Sequence, residues 1–475
     1  MKVFHNLHYR WMCKNHETIL INCRGRVLSD PEDGSPRYLV GCINEIGAKQ
    51  KADNVSGLLG EYSLKIFYES RSPKLPQGFL LRIGIDDFKN INESHGNEYG
   101  DYILRRTAQC IEENIGPEQS LFHIVADEFA VVDFSGGSVE TAEKLFHEIK
   151  KSIYAFIEQN QYKAVYTVSG GIVENGDVDN SFENAMKLSE FALSQAKERG
   201  KNSCYVFEQK EYEDYLKSRT LLRQLHHAVN NGFEGFEAYF QPLVNAANGE
   251  LTGAETLLRF HSPEGGMVSP GEFIPILEES GLIIPVGRWV LRQALDACRE
   301  WQKILPEFKV NVNLSYVQVL KSRVLTDVRR IVDEFGVKPS SVCIELTESG
   351  YLEENERFDK VWNGLKEYGV LLALDDFGTG YSNLRCLSDL KPAYIKIDRS
   401  FTLKALNREY EYRLLNHIVE MSHSLGLHVC VEGIETEGEL TKAKQTEPDY
   451  IQGFLFGKPC SRAEFTQKFF TKQAG

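Results

Sequence analysis

The sequence predicts an α/β protein: a mixed α/β domain on one sheet, then a (β/α)8 barrel of the TIM type, preceded by a short β-rich segment. Three observations carry this. Over residues 50–207, apolar segments of strand length alternate with amphipathic helical stretches, which is the pattern of an α/β layer. From about residue 232 onward, eight strand candidates recur with helical stretches between them, within the roughly 240 residues that a (β/α)8 barrel needs. The chain of 475 residues, 42% of them hydrophobic, is long enough to bury more than one core.

Within residues 1–47, the stretches YRWMCKN, TILINCRGRVL and RYLVGCINEIG flank the turn-forming DPEDGSP and predict three antiparallel strands. This segment resembles the C-terminal part of a PAS sensor domain without the earlier elements that would build a ligand pocket. Residues 48–207 form the next unit. GFLLRIGI is a strand, Tyr102 to Asn114 lie in a helix, and LFHIVADEFAVVD is a hairpin with Asp127 and Glu128 at its tip. A helix from Thr141 places Leu145, Phe146, Ile149, Ile153 and Ile157 on one buried face. KAVYTVSGGIV is another strand, and Phe182 to Lys197 another helix. Residues 208–230 are charged, then amphipathic, with no Gly or Pro, and predict a linking helix that either holds two domains apart or transmits motion. The barrel occupies 231–475. Its strands are EAYFQPLV, TGAETLLRF, KVNVNLS, VCIELTES, VLLALDDF, YIKIDR, HVCVEGIE and YIQGFLFG.

Charge and cysteine usage narrow the function. Lys and Arg number 54 against 68 Asp and Glu, a formal charge of -14, which argues against binding DNA through a broad basic surface. The ten cysteines are scattered singly with no C-x-x-C pair, as expected of buried thiols in a reducing compartment. No apolar run approaches the roughly 18 residues that span a bilayer. The start, MKVFHNLHYRWMCKNHE, lacks the apolar core of a signal peptide. The expected location is cytoplasmic.

Seven of the eight barrel strands carry a polar residue near the C-terminal end: Glu255, Asn313, Glu345, Asp375 with Asp376, Lys396, Glu432 and Gln452. In a (β/α)8 barrel those ends converge on one mouth, where catalytic groups sit. Five carboxylates so close repel one another, and divalent cations are the natural resolution. Carboxylates with one Asn amide suit Mg or Mn, whereas Zn would call for His or Cys. The adjacent Asp375 and Asp376 can serve two ions, which is a recurring device for phosphoester hydrolysis. Lys396 then sits where it can orient hydroxide or offset transition-state charge.

The same residues carry a family resemblance. From about 219 to 468 the chain resembles the EAL phosphodiesterases, which open cyclic di-GMP to linear pGpG. The matching motifs are QP at Gln241, ETLLR from Glu255 to Arg259, NLSYVQ from Asn313, ELTES from Glu345, DDFGTGYSNL from Asp375, KID at Lys396, VEGIET around Glu432 and QGFLFGKP from Gln452. The resemblance implies that Glu255, Asn313, Glu345 and Asp375 hold one metal, while Asp375, Asp376 and Glu432 hold a second. It places Glu255, Glu432, Lys396 and Glu348 in catalysis, with Glu348 steadying the loop that contains Gly378 and Gly380. Gln452 assists at the water, and Gln241 and Arg259 touch the substrate. The family's Glu-Ala-Leu is here Glu255-Thr256-Leu257. Thr256 should point away from the mouth, where its hydroxyl needs a partner. A non-hydrolytic cyclic di-GMP receptor is the alternative reading.

Residues 53–207 resemble the GGDEF domains, which condense two GTP molecules into cyclic di-GMP. The matching stretches are DNVSGL, IGIDDFKNINESHGNEYGD, VADEF, TVSGGI and AKERGKN. Against that family's pattern, a metal-binding acid is replaced by Gly84, leaving Asp86. Val125 and Ala126 stand where two glycines let backbone approach phosphates. The resemblance therefore implies a cyclase fold without cyclase chemistry. Asn92 and Asp101, the guanine-reading positions, remain, as do Asp127, Glu128 and Lys201. They leave two readings open: a GTP-binding regulatory module, or a scaffold for homodimer contacts.

Overall fold

The computed structural model describes residues 4–12, 18–29, 36–46, 52–71, 78–160, 165–177, 181–347, 356–378 and 384–471. It divides into two compact units, residues 1–215 and 216–475, taken in turn below.

The chain begins with an antiparallel sheet of β1 (Phe4–Met12), β2 (Thr18–Ser29) and β3 (Pro36–Ile46), in that order. These are the three strands expected from the turn-separated apolar runs. The middle domain follows with α1 (Glu61–Arg71), β4 (Phe79–Ile85), α2 (Phe88–His95), α3 (Asn97–Asn114), β5 (Gln119–Val125) and β6 (Glu128–Asp133). It continues with α4 (Val139–Gln159), β7 (Val168–Glu174), α5 (Phe182–Glu198) and β8 (Cys204–Val206). The sheet order is β5-β6-β4-β7-β8, antiparallel except between β7 and β8.

Helices on both faces explain why central β4 is buried along its length. Phe79, Leu81, Ile83 and Ile85 pack on one side with Phe146, Ile149 and Ile153 of α4, whereas Leu80 packs on the other with Leu64 of α1 and Ala185 of α5. All five α4 residues singled out by helical spacing are buried. Helix α3 starts five residues earlier than expected, because Gly96, at φ 84°, ends α2 and lets the next helix begin at once. A further helix, α6 (Gln209–Asn230), covers the predicted linking segment.

The second unit is a closed eight-stranded barrel of β9 (Phe236–Asn245), β10 (Leu251–Ser262), β12 (Lys309–Asn313), β13 (Val342–Thr347), β14 (Leu371–Phe377), β15 (Tyr394–Ile397), β16 (His428–Val431) and β17 (Tyr450–Gln452). Two short strands, β11 (Gly266–Val268) and β18 (Cys460–Ser461), pair at its rim with β10 and β9. All eight strand candidates become barrel strands. One departs from the regular pattern: β9 runs antiparallel to both β10 and β17, while the remaining neighbours are parallel. The reason is local. Only Ala246 to Glu250 separate β9 from β10, too few residues for a helical crossover but enough for a hairpin. Asn245 Oδ1 accepts from the backbone N–H groups of Ala247 and Asn248, and Gly249, at φ 74°, completes the turn. Among the described residues no helix is long and apolar enough to cross a membrane.

Candidate functional site

Strand alternation points every second barrel residue inward, and one lysine gathers the acids. Lys396 on β15 is 2% exposed. Its Nζ lies 3.2 Å from Glu255 Oε2, 2.9 Å from Glu345 Oε2, 3.4 Å from Asp375 Oδ1 and 2.8 Å from Glu432 Oε1. Amides complete the floor. Asn313 Nδ2 donates to Glu255 Oε1 at 2.8 Å, Asn311 Nδ2 to Glu345 Oε1 at 2.7 Å, and Gln452 Nε2 to Glu255 Oε2 at 2.7 Å. Gln241 stands opposite Glu255 across the β9–β10 pair and accepts from Gln452 at 3.2 Å.

Asp375 and Asp376 are sequence neighbours, which regular alternation would send to opposite faces. The β14–β15 register jumps from Leu374↔Ile395 to Phe377↔Ile397, a bulge with one extra residue at this pair. Asp376 takes a left-handed φ of 56°, and its N–H donates to Asp375 Oδ1 at 2.9 Å. An aspartate tolerates that backbone at a cost of about 1–2 kcal/mol. The bulge lets both carboxylates join the electrostatics of the mouth.

One ammonium against five carboxylates leaves an excess of negative charge. Burial pushes Glu345 well above the ordinary carboxylate range against the pull of Lys396, and Glu255 and Asp375 push it further. Burial raises Asp375 too, Asp376 to about 6 and Glu432 to about 8. Glu255 alone goes the other way: burial opposes ionisation there, but Lys396 and the hydrogen bonds from Gln452 and Asn313 outweigh it. Lys396 is raised well above its usual value; burial works against its charge, and the four surrounding carboxylates overcome that.

These residues fit a divalent cation. Glu255, Glu345 and Asp375 offer oxygens within 4.8 Å of one another. Glu432 Oε1 is buried and lies 2.8 Å from Lys396 Nζ, an ammonium already shared with Glu255, Glu345 and Asp375. Four carboxylates sharing one ammonium are the donor set that an oxygen-seeking cation satisfies.

The middle domain also gathers acids, at the β5–β6 hairpin tip, but gives each a partner. Glu128 meets Arg82 of β4 through two nitrogens, at 2.7 and 2.6 Å, and the Arg82 side chain is 6% exposed. Asp86 is buried and accepts from Thr167 Oγ1 at 2.6 Å, Ser169 Oγ at 2.8 Å and the Asn202 N–H at 3.2 Å. Asp127 faces Lys197 at 3.8 Å; burial raises its carboxyl, and Lys197 opposes the shift. Lys201 Nζ is held by both oxygens of Asp87 at 2.8 Å. A Cβ at Gly84 would lie 2.9 Å from Lys197 Nζ, so an ammonium fills the space before that glycine. Ala126 at the tip has φ 50°, a left-handed backbone that glycine would adopt without strain.

Comparison with known proteins places both halves. The EAL domain family matches residues 222–459, and the diguanylate cyclase GGDEF domain family matches residues 63–203. The chain belongs to the tandem GGDEF–EAL proteins. It is 29% identical over 381 residues to the bifunctional diguanylate cyclase/cyclic di-GMP phosphodiesterase MucR of Pseudomonas aeruginosa, covering 80% of this chain and 55% of MucR. It is 28% identical over 386 residues to the cyclic di-GMP phosphodiesterase PdeR of Escherichia coli, covering 81% and 58%. The chain thus spans little more than half the length of these relatives. Among solved structures it resembles the EAL enzyme Bd1971 in its cAMP-bound form, with a TM-score of 0.52 and 27% identity over 64% of this chain and 80% of that one.

Within the EAL domain, the structure brings Glu255, Asn313, Glu345, Asp375, Asp376, Lys396, Glu432, Gln241 and Gln452 together. The Asn313 amide turns its nitrogen toward Glu255, so its oxygen is the arm that can ligate a cation. Arg259 stands apart from the acids: its guanidinium lies 5.5 Å over the Tyr239 ring and donates to the Leu258 carbonyl at 2.9 Å. Glu348 and Gly380 lie outside the described residues, while Gly378 has φ 100°, as a tight path requires. Thr256 is 1% exposed, and among the described residues its hydroxyl has no hydrogen-bond partner, contrary to the partner expected for it. Asn311 was missed. Its signal was the spacing of two from Asn313, which sends both amides inward on one strand.

Within the GGDEF domain, Asn92 on α2 and Asp101 on α3 lie on either side of the turn at Gly96, both half-buried. Asn92 Oδ1 fills the space a Cβ at Gly100 would need. Glu128 and Lys201 are engaged by Arg82 and Asp87 as described.

Proposed function

We propose that the EAL domain hydrolyses cyclic di-GMP to pGpG with two divalent cations, Mg or Mn, and that the GGDEF domain is a regulatory module without cyclase activity. The observation that carries this is the excess of buried carboxylate over cation around Lys396. The names of two relatives, MucR and PdeR, support cyclic di-GMP as the substrate. In this reading Glu255, Asn313, Glu345 and Asp375 hold one ion, and Asp375, Asp376 and Glu432 hold the other. Bound there, the cations offset charge on the attacking and leaving oxygens of the phosphodiester.

The chain's own groups do the rest. Lys396 keeps its proton among the acids and stabilises charge where the water attacks. Asn313 and Gln452 hold Glu255 in one orientation, so that it meets an ion without reorganising. Gln241 supports Gln452, and Arg259 and Gln241 contact the substrate. Glu348 steadies the loop that includes Gly378. In the GGDEF domain, Asn92, Asp101, Asp127, Glu128 and Lys201 form a GTP site whose occupancy modulates the barrel, in a homodimer. The four segments 1–47, 48–207, 208–230 and 231–475 are the working division of the chain.

Purified protein with Mg or Mn should convert cyclic di-GMP to pGpG, and Glu255→Ala should reduce this to background. Turnover that survives Glu255→Ala contradicts the ligand assignment. Tight binding of cyclic di-GMP without product would instead identify a receptor.

A further inference from the structure

We propose that Asn311 is a positioning residue for Glu345, fixing the plane of that carboxylate for a cation. The proposal rests on the reading of Glu345 as a metal ligand. Asn311 is 7% exposed on β12, two residues before Asn313, in register with Glu255 of β10 on one side and Cys343 of β13 on the other. Its Nδ2 donates to Glu345 Oε1 at 2.7 Å, while Lys396 takes Glu345 Oε2 at 2.9 Å. Glu345 is fully buried, and its two oxygens are gripped by two donors, one on the adjacent β12 and one on β15, two strands away.

That double grip matters because a glutamate's terminal torsion is otherwise broad and nearly two-fold. With Oε1 and Oε2 each holding one donor, the plane is set, and the remaining lone pairs face the mouth. Among the described residues, Asn311 is the side chain that donates to Glu345 Oε1. The inward groups beside Asn311 in the small cavity under Lys396 include Cys343, Ala373 and Cys430, which are two weak thiol donors and a methyl. Lys309, also at that cavity, gives its Nζ to Tyr394 Oη at 3.1 Å. Asn311 is thus the amide that links the floor of the barrel to the ligand set.

A side chain that merely filled space would behave differently from one that orients a ligand. The full chain, stripped of metal by chelation and dialysed, is titrated with Mn2+ while free Mn2+ is followed by electron paramagnetic resonance. Melting temperature is measured on the same samples. Asn311→Leu keeps the branched shape and removes the donor; Asn311→Ala is read in its place if Leu does not fold. The expected result is Mn2+ affinity lower by about 10–100-fold, the range for losing a hydrogen bond to a metal ligand. A lowered melting temperature with wild-type Mn2+ affinity overturns the proposal. Absence of Mn2+ binding by the wild-type chain overturns instead the reading of Glu345 on which it rests.

Discussion

The barrel and the middle domain both assemble carboxylates at the end of a sheet, yet they balance charge in opposite ways. In the barrel, Glu255, Glu345, Asp375 and Glu432 share the single ammonium of Lys396, and Asp376 adds a fifth acid. In the middle domain, Glu128 has Arg82, Asp127 has Lys197, and Asp86 has two hydroxyls and a backbone N–H. An acidic cluster seen in a sequence therefore says little until its counter-charges are counted. The unbalanced cluster calls for cations from solution, whereas the balanced one is complete within the fold.

Replacing the central cations should separate the two most sharply. Lys396→Met should take phosphodiesterase turnover to background and cost roughly 3–5 kcal/mol of stability in chelator, since it strands buried carboxylates. Added Mn2+ should restore part of that loss in urea unfolding; a loss that Mn2+ leaves untouched would break the comparison. Arg82→Met strands one partly exposed carboxylate, Glu128, and removes a donor from the Met186 carbonyl and the exposed Glu190, so the expected cost is smaller, about 2–3 kcal/mol. Barrel turnover at low denaturant should persist, and a parallel fall in turnover would show that the domains are not balanced independently.

Restoring the missing acid is a milder intervention. Gly84→Asp should yield no cyclic di-GMP from GTP, because Val125 and Ala126 still put Cβ atoms where two glycines would let backbone approach phosphates. Product by chromatography would show that Val125 and Ala126 leave that approach open. The smallest effect is expected at the departure from Glu-Ala-Leu. Thr256→Val removes a buried hydroxyl without a hydrogen-bond partner and should stabilise the barrel by about 1 kcal/mol, with turnover unchanged. Destabilisation would mean that the hydroxyl does find a partner.

Much of this was legible in the chain because it is written at short range. Eight strands showed as apolar runs, and their terminal polar residues showed as a repeat, since barrel geometry turns a repeat into a convergence. The antiparallel β9 was signalled by Asn248-Gly249 between two runs too close for a crossover. What stayed hidden depends on pairing across the fold. Arg82 meets Glu128 diagonally, since Gly84 faces Glu128 and Arg82 faces Ala130 in the register, and no spacing within either strand reveals that. Lys197 reaches Gly84 from a helix more than a hundred residues away. The bulge at Asp375 and Asp376 likewise appears only when β14 is laid against β15.

The central claim is that the unbalanced cluster does the chemistry and the balanced one does not. One assay addresses it directly: the purified full chain, with Mg or Mn, is offered cyclic di-GMP and GTP in parallel and the nucleotides are resolved by chromatography. The account predicts pGpG from cyclic di-GMP and no cyclic di-GMP from GTP. Cyclic di-GMP formed from GTP, or an untouched cyclic di-GMP sample, would contradict it.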